Sequence, residues 1–363
     1  MSLTLGIVGL PNVGKSTLFN TLTGQSVPAE NYPFCTIKPS VGIVPVPDKR
    51  LERLSELANS KEKIPAVVQY VDIAGLVKGA SSGEGLGNEF LSNIREVDAI
   101  VQVVRLFKNS KIVHVDGAPN PKRDIETISL ELILYDLGIS NRRAEKLKKD
   151  AKKDPEAKKE LALITKAIGY LEKEKPLLEG DFEEDEKTAL NNLGFLSIKP
   201  MLYIFNVEMA GENVEQSNES YQYACEIIEQ RNIKAIILDV FAENSLSQVS
   251  QEERELFCKE VGIKVDSLDS LISECYKLLG LITFFTVGEK ETRAWTIKKG
   301  SKAPKAGSAI HTDFEEKFIR AEVVGYDDFV KCGSLAVARE NGLARTEGKD
   351  YVVQDGDIVL FKI

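Results

Sequence analysis

Gly9-Leu10-Pro11-Asn12-Val13-Gly14-Lys15-Ser16 fits G-x-x-x-x-G-K-[ST]. The glycines let successive backbone N–H groups converge on a phosphate chain. Lys15 brings a point charge to the outer phosphates, and the Ser16 hydroxyl is a hard ligand for Mg²⁺. Further on, Val71-Asp72-Ile73-Ala74-Gly75 sets a D-x-x-G at the end of an apolar run. There Asp72 is expected in the shell of the metal, and the Gly75 N–H against the γ-phosphate. Between the two motifs, Asn31–Thr36 reads as a switch loop in which Thr36 offers the metal a second hydroxyl. The three elements describe a nucleoside-triphosphate switch of GTPase-like design.

Two departures refine the expectation. Guanine is selected in this class by N-K-x-D after a strand, its aspartate accepting from the base's two donors. Here the strand ends Asn206-Val207-Glu208-Met209, without the lysine or the aspartate. A site stripped of its acceptor loses its discrimination. Adenine's donor and acceptor can instead be met by Asn206 and backbone near Val207, so ATP is expected over GTP. The alternative keeps guanine through Glu208 or Glu212. The second departure is Leu76, which follows the D-x-x-G where a water-orienting glutamine often stands. An apolar side chain cannot hold a nucleophilic water, so hydrolysis is slow or the missing group comes from elsewhere. His114, just beyond a strand at its C-terminal edge, is one source; an exposed loop histidine is the plainer alternative. The Asn12 amide oxygen could also help hold a monovalent cation such as K⁺. His311 reads as structural or as a surface contact.

The elements that must position these groups alternate in type. Leu3–Val8, Ala66–Ile73, Ala99–Leu106, Pro200–Asn206 and Lys234–Phe241 read as strands, Lys15–Thr23 and a segment near Tyr221–Gln230 as helices. Such alternation predicts an α/β doubly wound sheet, mostly parallel. Between the halves, Ile125–Asp150 and Pro155–Lys173 carry helical periodicity broken at Asp154-Pro155, a helical hairpin. From Arg142 to Glu160 nine Lys or Arg stand against five Asp or Glu, so the arm is a solvated face or a contact for RNA or a ribosome. The last residues give β-like runs at Ile282–Val287, Arg293–Ile297, Ile319–Val324 and Asp357–Phe361, with a helical stretch over Tyr326–Glu340. A small α+β domain fits them. Gly79–Gly87 is rich enough in glycine to suit a mobile segment.

The 363 residues carry 47 Lys and Arg against 56 Asp and Glu, a net charge of −9. That argues against a chain-wide nucleic-acid coat, though not against a local one. Five dispersed cysteines without a CxxC pair suit a reducing compartment. With no bilayer-length apolar run and no leader before the glycine-rich motif, a cytoplasmic protein is expected.

Longer strings carry a resemblance: GLPNVGKSTLFN from Gly9, NYPFCTIKPSVGIVPVPD from Asn31, VDIAGLVKGASSGEGLGN from Val71, HTDFEEKFIRAEV from His311 and GKDYVVQDGDI from Gly348. Across nearly its whole length the chain resembles the YchF family of Obg-related P-loop proteins, the Obg-like ATPases. The resemblance implies a P-loop NTPase domain over 1–124 and 200–280, an inserted, coiled-coil-like helical hairpin over 125–199 and a C-terminal β-grasp TGS domain over 281–363. It implies slow ATP hydrolysis in preference to GTP, and association with the ribosome, the large subunit in particular, and with RNA. By position, Asn12, Val13, Gly14, Lys15, Ser16 and Thr17 match the phosphate cradle, Ser16 and Thr36 the magnesium ligands, and Asn206 and Val207 the base segment. Asp72, Gly75 and Leu76 match the third motif and its apolar replacement for glutamine. Lys15 and His114 look like the catalytic groups. The family's usual N-x-x-E is broken here by Met209, with Glu208 one residue off.

Overall fold

An apolar pentapeptide and a glycine-rich turn open the chain as strand β1 (Thr4–Val8) and helix α1 (Lys15–Thr23). The computed structural model describes residues 3–24, 40–73, 86–107, 112, 114, 119–208, 222–223, 225–229, 233–247, 249–250, 252–253, 256 and 267–363. Two compact units divide the chain, one formed by the residues up to 42 with 69–268, the other chiefly by 43–68 with 269–363.

The elements after α1 are β2 (Val41–Pro45), α2 (Lys49–Leu57), β3 (Glu62–Ile64), β4 (Val67–Asp72), α3 (Leu86–Glu96) and β5 (Ala99–Arg105). Helices α4 (Pro121–Asp150), α5 (Pro155–Leu171) and α6 (Glu184–Asn192) follow, then β6 (Met201–Asn206), β7 (Ala235–Leu238) and α7 (Val240–Leu246). The nucleotide sheet runs β2-β4-β1-β5-β6-β7. Its β4–β1, β1–β5, β5–β6 and β6–β7 pairs are parallel. Every residue of β5 is buried, as a strand covered on both faces requires. Strand β7 stops at Leu238, short of the Phe241 that its apolar run suggested. The physical reason is Asp239, whose side chain accepts the Ala242 N–H at 2.9 Å and so caps α7. The helix expected near Tyr221–Gln230 and the Gly79–Gly87 segment fall partly outside the described residues.

The hairpin is present and starts earlier than its periodicity suggested. Asn120 accepts the Arg123 N–H at 3.1 Å and Pro121 opens α4; Asp154 accepts the Glu156 N–H at 2.9 Å to start α5. The two helices share a core with α6 that includes Ile133, Ile164, Leu171, Phe182, Leu190 and Phe195. Where α4 meets the 195–198 turn, Asp136 is fully buried. Its two oxygens accept the backbone N–H groups of Leu196 and Ser197, each at 2.8 Å, and the Ser197 hydroxyl at 2.6 Å.

The second unit holds α8 (Ser267–Leu278), β8 (Leu281–Val287), β9 (Glu291–Lys298), β10 (Arg320–Val324), β11 (Arg345–Glu347) and β12 (Ile358–Lys362). Its sheet order is β11-β10-β12-β8-β9-β3, with β8–β9 and β10–β12 antiparallel and β12 parallel to β8. An antiparallel hairpin therefore has a strand distant in sequence running parallel beside it. The expected Tyr326–Glu340 helix is two, parted by Gly333 at φ +74° and restarted by Ser334, which caps the Val337 N–H. Residues 43–68, expected in the nucleotide domain, pack with the C-terminal segment. Strand β3 runs parallel to β9, Arg50 reaches Asp355 at 2.8 Å, and the Ser60 hydroxyl donates to Gly288 at 2.8 Å.

Candidate functional site: the phosphate cradle and the cavity beside it

Close approach explains the glycines. A Cβ at Gly9 would stand 2.6 Å from the Val103 carbonyl oxygen, and one at Gly14 would stand 2.5 Å from Asn206 Nδ2. Gly14 also adopts φ +105° as it opens α1, a conformation that costs an L-residue free energy. Asn12 takes φ +62°, the left-handed region that asparagine tolerates. The loop therefore wraps onto a helix N-terminus, where unsatisfied N–H groups and the helix dipole favour an anion.

Lys15 is buried, and its Nζ donates to the Leu10 carbonyl at 2.8 Å, inside the wrap of the loop. Burial lowers its pKa to about 8, an effect the Asp72 carboxylate partly offsets. Phosphate needs the charged form. The free site is thus competent below pH 8 and loses its ammonium above it, so nucleotide affinity should fall about tenfold between pH 7.5 and 9. Titration calorimetry at the two pH values checks this; an affinity flat to pH 9 would mean an ordinary lysine.

The Ser16 hydroxyl donates to Asp72 Oδ2 at 3.2 Å. The other carboxylate oxygen, Oδ1, is buried and has no hydrogen-bond partner among the described residues. Leaving such an oxygen unmatched is costly, and a hydrated hard cation satisfies it. A hydroxyl and a carboxylate oxygen are the donor types Mg²⁺ takes; the residues present fit that ion.

Asn206 lies across the cradle rather than only beside a base. Its Nδ2 donates to the Val13 carbonyl at 2.9 Å, and its Oδ1 accepts the Val240 N–H at 3.1 Å. One side chain thereby ties the phosphate loop to α7. Next to it lies a cavity of about 430 Å³ whose walls include Asn12, Thr17, Phe107, Val207, Glu208 and Phe241. Arg105 shapes one wall. It is 1% exposed, donates to the carbonyls of Phe107 at 3.1 Å and Ile112 at 3.2 Å, and stacks 4.3 Å from the Phe107 ring centroid. Phe107, Asp239 and Phe241 were not among the expected site residues. The signal for them is positional, since they follow the C-terminal ends of β5 and β7, the edge where such sheets bind ligands.

His114 corrects the picture of an exposed loop histidine. It is 4% exposed, its Nε2 stands 3.2 Å from Asp124 Oδ2, and Asp124 also accepts from Arg123 at 3.0 Å. Among the described residues that line the cavity His114 does not appear. His311 is an exposed residue whose Nδ1 accepts the Asp313 N–H at 3.2 Å. Thr36, Gly75, Leu76 and Met209 lie outside the described residues.

A first strand that hands over to a helix through a glycine-wrapped loop, answered by an aspartate on the adjacent strand, places the chain among the P-loop nucleoside triphosphatases of GTPase fold. A family profile described as "50S ribosome-binding GTPase" matches residues 4–164, and the YchF GTPase C-terminal profile, described as a protein of unknown function, matches residues 281–363. The chain is 48% identical to the "Ribosome-binding ATPase YchF" of Bacillus subtilis (strain 168) over 363 residues, 100% of this chain and 99% of that one. It is 46% identical to the protein of the same name from Escherichia coli O157:H7 over 362 residues, 99% of each. The solved Schizosaccharomyces pombe YchF GTPase is 39% identical and superposes at a TM-score of 0.88, covering 99% of this chain and 98% of that one. The chain belongs to the YchF family. No helix among the described residues is long and apolar enough to cross a membrane.

Proposed function

We propose that this chain is a slow, Mg²⁺-dependent ATPase that cleaves the β–γ phosphoanhydride and whose nucleotide state sets its affinity for the ribosome. The observation that carries the nucleotide half is the buried Lys15 within the glycine wrap, beside the Ser16–Asp72 pair. The ribosomal half is supported by the two relatives named above, ribosome-binding ATPases that match 99% or more of this chain. Ser16 and Thr36 would hold the metal with Asp72 in support, and Gly75 would read the γ-phosphate. Mg²⁺ held there would draw charge from the phosphate oxygens. Asn12 would support a K⁺ ion, and Leu76 offers the attacking water no hydrogen-bond partner, which keeps the rate low. The hairpin and the TGS domain at 281–363 are the surfaces offered to the large subunit and to RNA, with the basic run around Lys148, Lys149, Lys152 and Lys153 at the hairpin's tip.

For base choice, Asn206 and backbone near Val207 serve adenine. A second reading, guanine, is favoured by one observation, the Glu208 carboxylate at the cavity wall. Calorimetric titration with Mg·ATP and Mg·GTP decides between them. Tighter ATP binding is expected, and tighter GTP binding would move the acceptor role to Glu208. Co-sedimentation with ribosomes should differ between ATP and ADP, and charge reversal of the four lysines should weaken it and flatten its salt dependence. Identical co-sedimentation in both nucleotide states would leave a passive adapter instead of a switch.

His114 acts on the attacking water in this proposal only after leaving Asp124. Turnover of His114→Ala at saturating ATP should drop by roughly a hundredfold with affinity preserved. An unchanged rate would remove the histidine from the chemistry.

A further inference from the structure

A nucleotide bound through its phosphates leaves its base to find cover in the cavity beside the cradle. Val207, the residue aligned with the base segment, has little surface left to offer, being 1% exposed. Its neighbour Asn206 has both ends of its amide engaged, by Val13 and by Val240. Phe107 is a fixed wall, stacked under the Arg105 guanidinium. Phe241 is different. It is 74% exposed in the first turn of α7, while Val240 and Ala242 on either side are 1% and 2% exposed. It nevertheless lines the same cavity as Asn12, Thr17 and Asn206. No other large apolar side chain among the described residues is as exposed. Leaving an aromatic ring in water is unfavourable, and nothing in its local packing demands it.

We infer that Phe241 is the stacking platform for the nucleotide base, and that it sets how tightly the base is held. The inference rests on the nucleotide reading of this cavity and extends it to a residue outside the expected motifs. The sequence had placed Phe241 at the end of a strand. The Asp239 cap converts that position into the start of a helix, and it is this conversion that presents the ring at the cavity. Because α7 is also tied to the phosphate loop through Asn206, the platform and the cradle are held by one side chain. Aromatic stacking tolerates every base, since each has a π-face. The platform therefore adds affinity and a purine-over-pyrimidine bias; it does not choose adenine from guanine.

The test uses the full chain with Mg²⁺. Calorimetry with ATP, GTP, CTP and inorganic tripolyphosphate is run on the parent, Phe241→Ala and Phe241→Tyr. The alanine variant should lose about tenfold in ATP and GTP affinity and less for CTP, with tripolyphosphate unchanged. Tyrosine should restore purine binding. An exposed ring is not part of the core, so the melting temperature of both variants should match the parent. Unaltered ATP affinity in Phe241→Ala overturns the inference. So does an equal loss for ATP and tripolyphosphate, which would place the effect in the cradle. A parent that binds tripolyphosphate and nucleotides equally would show that no base is held here, while a parent that binds none of them overturns the nucleotide reading itself.

Discussion

Gly14→Ala should lose about a hundredfold or more in nucleotide affinity, for ATP and GTP alike. The added methyl would stand 2.5 Å from Asn206 Nδ2 at a residue held at φ +105°. Strain in that region costs about 1–3 kcal/mol. Displacing Asn206 also gives up its bonds to the Val13 carbonyl and the Val240 N–H, both buried, at roughly 1–3 kcal/mol for each group left unmatched. The loop can relieve this only by unwinding from the helix N-terminus, which scatters the N–H groups that face the phosphates. The sheet beneath is untouched, so circular dichroism should be that of the parent. A Kd within threefold of the parent would show that the cradle does not depend on the Asn206 brace. Because the brace serves the phosphates, Asn206→Ala should likewise weaken both nucleotides together, and any further loss of ATP over GTP measures its contact with adenine.

Asp136→Ala should destabilise the chain by about 3–5 kcal/mol. The carboxylate is 0% exposed and is the acceptor for three donors in the 195–198 turn. Its removal strands the N–H groups of Leu196 and Ser197 in a place water does not reach, and frees the Ser197 hydroxyl that accepts from Leu177. Burial raises the Asp136 carboxyl to about 6 even against these bonds. Since the folded value lies above the unfolded one, the group favours folding most at low pH and loses that contribution as pH rises through 6. Urea unfolding followed by circular dichroism at pH 7 measures the loss. Asp136→Asn, which keeps the shape and one acceptor, should recover part of it. An alanine variant within 1 kcal/mol of the parent, on the scale of an ordinary surface change, would refute the brace.

What could be read from the amino acids depended on how local the physics is. The cradle was legible because its glycines, lysine and serine do their work within eight residues, and the buried strands because unbroken Val and Ile runs fit little else. The hairpin showed itself through Asp154-Pro155. By contrast, β3 is Glu-Lys-Ile, a polar edge strand whose partner β9 lies at Glu291–Lys298. No periodicity within three residues could have found it. Helix α2 was legible locally as well, since Asp48 caps the Arg50 N–H at 2.9 Å before a Leu51/Leu54 face. The second role of Asn206, the burial of His114 and the exposure of Phe241 all depend on which strand ends meet, and that is a property of topology.

The interleaving of the second sheet has a consequence for how the protein is made. Residues 49–64 leave the translating ribosome early, yet β9, the strand that β3 pairs with, begins only at Glu291. At roughly 5–20 residues per second, the growing chain must carry Leu51, Leu54 and Ile64 without their final cover for about ten to forty seconds. A fragment of residues 281–363 made by itself would face the mirror problem: its sheet would end at β9, whose open edge invites a strand from another molecule.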